Sequence, residues 1–361
     1  MTARLLSSLL VVAVSASAGE PRALKPTATL PLAKGEFSSW AYCPAKRLLA
    51  SFVSKKLVIG SLGVSKKKLA LSAPNDVETW AMAWTRDCNR LVASESSGDS
   101  KHRVFGAALF SVKDGALSRT APLGTFRFPV SSIAVTDDDA FVAVAANSGD
   151  LAIFRLDPKS GPVKVFEAPP LRGGDQYMHV AFGGGHLLAG AYKGAVRLFP
   201  FDPATGALGQ GVDLMAPTAP TRTSGSVNVD TGAIVMPGGA RVFEVAFSNG
   251  GSRAWAVVES GQVFAWELGD STGPRVTVVD QLDGANRLAL SPDGTKLAAA
   301  GSFVARVWKL DGLKAAPLAD LSGLEHIDAY LLARGLLFVE PGRLAVATGG
   351  LGSASVVLYS P

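Results

Sequence analysis

Along most of the chain, apolar and polar residues alternate over short runs broken by glycine, asparagine and aspartate, the pattern of β-strands joined by tight turns. The clearest specimen spans residues 288–302, Leu-Ala-Leu-Ser-Pro-Asp-Gly-Thr-Lys-Leu-Ala-Ala-Ala-Gly-Ser, followed by an apolar run over residues 304–310. It reads as strand, Asp293-Gly294 turn, small-residue strand, loop, strand. The same template recurs over residues 40–51, 83–94, 133–144, 179–189, 245–255 and 336–345, giving seven copies. Each copy has a third strand centred on a large residue: Ile59, Phe110, Phe154, Phe199, Trp266, Trp308 and Tyr359.

Successive centres lie 51, 44, 45, 67, 42 and 51 residues apart. These spacings bracket the roughly 40–50 residues of a β-propeller blade and are far too long for leucine-rich or ankyrin units. They predict an all-β, seven-bladed β-propeller of four-stranded blades. The seventh copy stops at Pro361, directly after its third strand, and residues 27–32 form a segment able to supply the missing outer strand. Pro31 fits there, because an outer edge strand tolerates a residue without an amide donor. An N-terminal strand completing the last blade would close the ring, and a closed ring needs no capping repeats.

Composition agrees with this. Glycine, at 39 of 361 residues, is spread along the chain as many tight turns require, and 48% hydrophobic against 18% charged residues supports a large core. The first residues have a different character: basic Arg4, a run of about ten apolar residues, and Ala16-Ser17-Ala18. They predict a secretory signal peptide over residues 1–18, cut near Ala18, then a flexible segment over 19–26 and the propeller over 27–361. The run is too short to span a bilayer, so the expected destination is the periplasm or the exterior, without a transmembrane segment. Basic residues are dispersed except for Lys66, Lys67 and Lys68. With no interleaved aromatics, that run reads as a solvated strand edge and not as a nucleic-acid surface.

The chain resembles the WD-repeat and lactonase-like superfamily of seven-bladed propellers over nearly all its mature length. The Asp293-Gly294 turn and the tryptophans Trp266 and Trp308 are similar to WD repeats, although the following residues are Glu267 and Lys309 in place of aspartate. Residues 154–161 and 199–206 resemble strand-to-turn segments of bacterial phosphogluconolactonase-like propellers. The resemblance implies the architecture, and for the lactonase branch it implies hydrolysis or isomerisation of a small anionic lactone. That branch's histidine-pair segment and its Asp-Leu-Gly strand have no counterpart here.

Aligning the copies places Ser38, Ala81, Ser132, His179, Glu244, Arg287 and Gly335 at equivalent points near the start of each innermost strand, bordering one mouth of the central channel. His179, Glu244 and Arg287 come from three consecutive blades. Together they suit an anionic ligand or a polarised ester carbonyl. Alternatively, Glu244 and Arg287 form an inter-blade ion pair and His179 is a packed inner-strand residue. The wide spacing between blades four and five marks a long inserted loop at about residues 213–240, which includes Arg222. It leaves from the same mouth as the polar loop carrying Glu95, Asp99, His102 and Arg103.

The four histidines lack metal-ligand spacing, and Asp137-Asp138-Asp139 reads as a solvated turn, so no metal and no cofactor are expected. Cys43 and Cys88 fall in first-hairpin turns of adjacent copies on the opposite face, either disulfide-bonded or independent. The six tryptophans read as blade packing. The expected function is that of an exported, non-catalytic binding platform whose mouth face takes a protein or a small ligand. The alternative is a lactonase-like enzyme acting through His179, Glu244 and Arg287.

Overall fold

The computed structural model describes residues 21–361 except 34–36, 54–55, 62–78, 99–101, 114–115, 158, 169–174, 215–240, 269–274, 302–303, 323–332, 341 and 350–353. Asp99, Arg222 and the three-lysine run lie outside the described residues.

Seven antiparallel sheets, the seven expected blades, are present among the described residues. Blade three is representative. Its strands Val130–Val135, Phe141–Ala146, Leu151–Asp157 and Gly161–Glu167 pair in simple sequence order. All seven large residues singled out in the sequence sit on third strands, each buried between neighbouring blades. Blade one shows three strands among the described residues, Phe37–Cys43, Leu48–Val53 and Lys56–Ser61.

The core is divided into seven apolar clusters, one at each blade-to-blade interface. One of them packs Leu49 and Val58 of blade one against Val339, Ala345 and Val356 of blade seven. The ring is therefore closed by side-chain packing as well as by strands. Small residues on second strands, such as Ala298, Ala299 and Ala300, let the sheets approach closely, while Trp255, Trp266 and Trp308 fill the wider outer spaces. Each fully buried aromatic of this kind contributes about 2–3 kcal/mol of transfer free energy.

The outer strand of blade seven comes from the N-terminal region. Ala28–Ala33 pairs antiparallel with Ala354–Tyr359, with Ala28 opposite Leu358 and Pro31 opposite Ser355. The preceding residues were expected to be unstructured, and here the structure differs. Arg22–Leu24 pairs in parallel with Lys314–Leu321 and adds a fifth strand to blade six. The reason is local: Ser322 donates to the Leu24 carbonyl through both its amide and its hydroxyl, and Leu24 packs on the blade six–seven core.

The face bearing the first hairpins is laced from blade to blade. Cys43 and Cys88 form a disulfide with Cα atoms 5.8 Å apart, joining blades one and two. Asp139 accepts from the amides of Arg86 and Asp87, joining blades two and three. Asp138 caps its own turn through Thr136 and the Ala140 amide, so the acidic run has structural work at two of its three positions. Toward the opposite, mouth side, blades five and six are tied by Arg306, which makes a bidentate pair with Asp320 and also reaches Asp280, itself an acceptor from the Trp308 indole.

Candidate functional site

Six of the seven innermost strands carry a β-bulge near their start, at Phe37/Ser39, Val130/Ser132, Tyr177/His179, Val242/Glu244, Ala285/Arg287 and Ala333/Gly335. The residue after each bulge faces the channel, because the extra residue re-aims the side chains that follow it. These residues surround a cavity of about 290 Å³ at the channel mouth, with lining from all seven blades. His179, Glu244 and Arg287 all line it, as the repeat alignment expected. In blade one the residue after the bulge, and the one that lines the cavity, is Ser39 and not Ser38, one residue along from the expected ring position.

The wall is also a hydrogen-bonded hoop. Ser132 accepts from the Val180 amide of the next blade at 3.1 Å, and Glu244 Oε2 accepts from the Leu288 amide of the next blade at 2.6 Å. Ser39 donates to the Thr79 carbonyl at 2.9 Å. Glu244 is thus partly a structural acceptor. Arg287 donates from Nη1 to the Asn286 carbonyl, and its charge acts on both acidic and basic neighbours.

His179 and Glu244 keep a partial opening to the cavity but are otherwise enclosed by protein. Burial, then the charges of Arg287 and Arg241, push the His179 pKa down to about 3. Burial pushes Glu244 up to about 7, against the opposing pull of Arg287 and the Leu288 amide. At neutral pH the imidazole is therefore uncharged, and among the described residues it has no hydrogen-bond partner. It presents one donor and one acceptor nitrogen.

Two aromatic residues read from sequence as blade packing belong partly to the mouth. Trp40 and Trp80 line the cavity, and Trp80 is 50% exposed. The Trp40 indole lies across Gly335 of blade seven, where an added Cβ would fall 1.4 Å from Nε1. The available signal was a glycine at a ring position in blade seven, facing a tryptophan one residue past the ring position of blade one. In blade order, Trp40 and Trp80 on blades one and two stand across the channel from the His179, Glu244 and Arg287 arc on blades four to six.

Of the remaining predicted residues, those that are described do not join this site. Glu95 lies in the strand Arg90–Ser97 and forms a bidentate pair with Arg119, at 2.8 and 3.0 Å. That long strand replaces much of the expected polar loop. His102 and Arg103 are exposed beyond its end and are not part of the cavity wall. The long insertion also begins later than expected, because Val212–Leu214 is the outer strand of blade four; residues 215–240 lie outside the described residues. Above the wall, Arg241 sits 5.5 Å from the ring centres of both Tyr192 and Phe243.

Fold and mouth together define a seven-bladed β-propeller with an open channel mouth. No protein-family model matches the sequence, and no curated protein matches it. Among solved structures, the chain is similar to the β-propeller domain of Myceliophteria thermophila Cps50 (Swd1), with a TM-score of 0.64 and 16% identity, over 93% of this chain and 99% of that one. At that identity the likeness concerns the fold alone. Among the described residues, no helix is long and apolar enough to cross a membrane.

Proposed function

We propose that this chain is an exported, non-catalytic binding platform whose channel mouth receives a segment of a protein partner. The observation that carries the reading is the mouth itself: two tryptophans on one side and a polar arc on the other, all on inner strands except Trp80, which lies just ahead of one. Tryptophan and arginine lining one cavity is the composition of interaction hot spots. WD-repeat-like propellers typically serve as protein-binding platforms, which agrees with it. Export is supported by the leader pattern of residues 1–18 and by the Cys43–Cys88 disulfide, a bond suited to an oxidising compartment.

Lactone hydrolysis or isomerisation has weaker support. An imidazole with a pKa of about 3 is a poor base at neutral pH, and Glu244 already holds a backbone amide. The test is site-specific photo-crosslinking in the producing cell, with the probe at Trp80 in the mouth or at Lys46 on the hairpin face. A discrete protein adduct from position 80 alone supports the platform. Equal adducts from both positions, or none from position 80, refute it. N-terminal sequencing of exported protein checks cleavage near Ala18, and a turnover screen on lactones checks the enzymatic alternative.

A further inference from the structure

We propose that the mouth is a carboxylate site: it takes an acidic peptide end, the carboxylate meeting Arg287 and His179 and a neighbouring apolar side chain lying against Trp40 and Trp80. This rests on the platform reading and specifies what enters. All four residues line one cavity, and blade order sets the two polar groups across the channel from the two indoles. Arg287 supplies a planar fork of donors suited to a carboxylate, and the unpartnered imidazole of His179 adds another N–H. Arg241 stands outside the cavity wall but close enough for its positive charge to act on His179.

The one acid lining the cavity is partly committed elsewhere. Glu244 spends an oxygen on the Leu288 amide, and its raised pKa of about 7 leaves it partly neutral. A cationic guest would therefore meet the like charge of Arg287 in the wall. Size narrows the guest further: about 290 Å³ is at the lower end of ligand pockets, room for about two amino-acid residues and not for a folded domain. Capture of a chain end by a small charged nest is an established physical mode of peptide recognition.

The experiment titrates the full chain with three probes, following tryptophan fluorescence and the indole N–H resonances. The probes are the tripeptide Gly-Phe-Glu with a free carboxyl terminus, its neutral counterpart Gly-Phe-Gln amide, and 3-phenylpropionate. Gly-Phe-Glu is expected to bind about tenfold or more tightly than the neutral peptide, and Arg287→Gln should remove that preference. Trp80→Ala should weaken both peptides alike; because Trp80 is half exposed, this variant stays informative if Arg287→Gln does not fold. Comparable binding of 3-phenylpropionate supports the carboxylate site and assigns it to small acids as well as chain ends. Equal affinity for the charged and neutral peptides, or no saturable response to any probe below about 10 mM, overturns the proposal. A partner crosslinked at position 80 alongside that negative result would leave the platform standing and remove only the carboxylate; failure of both removes both.

Discussion

His179 and Glu244 place opposite and nearly cancelling pH dependences on the same wall, and separating them tests the electrostatics of the mouth. His179 falls from 6.5 to about 3 on folding, so between those values the unfolded chain binds the extra proton and stability rises with pH. Glu244 rises from 4.5 to about 7, so between those values the folded chain holds the extra proton and stability falls with pH. The windows overlap from pH 4.5 to 6.5, where each group changes stability by up to about 1.4 kcal/mol per pH unit with opposite sign. Partial opening to the cavity reduces this, leaving about 1–2 kcal/mol for each across the overlap. His179→Gln should therefore lose that amount as pH rises from 4.5 to 6.5, and Glu244→Gln, which keeps an acceptor for the Leu288 amide, should gain it. Urea denaturation at half-unit pH steps reads both, and taking differences from the unaltered protein removes contributions shared by other carboxyls such as Asp87 and Asp293. Parallel curves for the unaltered protein and both variants would show that neither group is perturbed, and the description of the wall would fail.

Three further outcomes follow from the packing. Cys43→Ser with Cys88→Ser should lower unfolding free energy by about 2–4 kcal/mol, given a link across 45 residues of sequence; an unchanged urea midpoint, or two titratable thiols in native protein, would contradict the bond. Removing residues 22–33 strips Ala354–Tyr359 of its outer partner and Lys314–Leu321 of its parallel neighbour, so amide exchange should accelerate first in blades six and seven; uniform exchange across all blades would refute the latch. Gly335→Ala should displace the Trp40 indole, cost about 1–3 kcal/mol and shift tryptophan emission; an unaltered spectrum and midpoint would mean the indole does not lie on that strand.

What the sequence revealed follows from which signals survive a shift of one residue. The third-strand residues from Ile59 to Tyr359 mark blades because a large side chain must fill the space between sheets, wherever the strand ends lie. The pairing of Ala28–Ala33 with Ala354–Tyr359 was legible because a missing outer strand at one end leaves an apolar run unexplained at the other. Arg22–Leu24 was not legible: the four residues between Pro21 and Pro26 carry no periodicity, and the three-residue strand among them exists only because blade six offers an edge. Ser39 in place of Ser38 is a one-residue slip in blade one, Trp80 lies just ahead of the strand Met82–Trp84 where no alternation marks it, and Trp40 follows directly on a bulge. Periodicity-two reasoning assigns faces by parity, and a bulge changes parity without changing composition.

That device also bears on which surface acts. Printing a bulge at the same point of six inner strands turns six positions, five of them bearing side chains, into one cavity with the precision of strands, and positions held on strands are better fixed than positions on loops. A bulge forfeits ladder regularity, so its repetition is costly unless the residues it turns inward differ usefully from blade to blade. They do: serine, histidine, glutamate, arginine and glycine occupy the equivalent places, whereas the third-strand places behind them hold only large apolar or aromatic residues. The hairpin face, by contrast, spends its polar groups on inter-blade ties such as Asp139 to Arg86 and Asp87. Variation in side-chain chemistry at fixed geometry is what recognition needs, and in this molecule it is concentrated at the mouth.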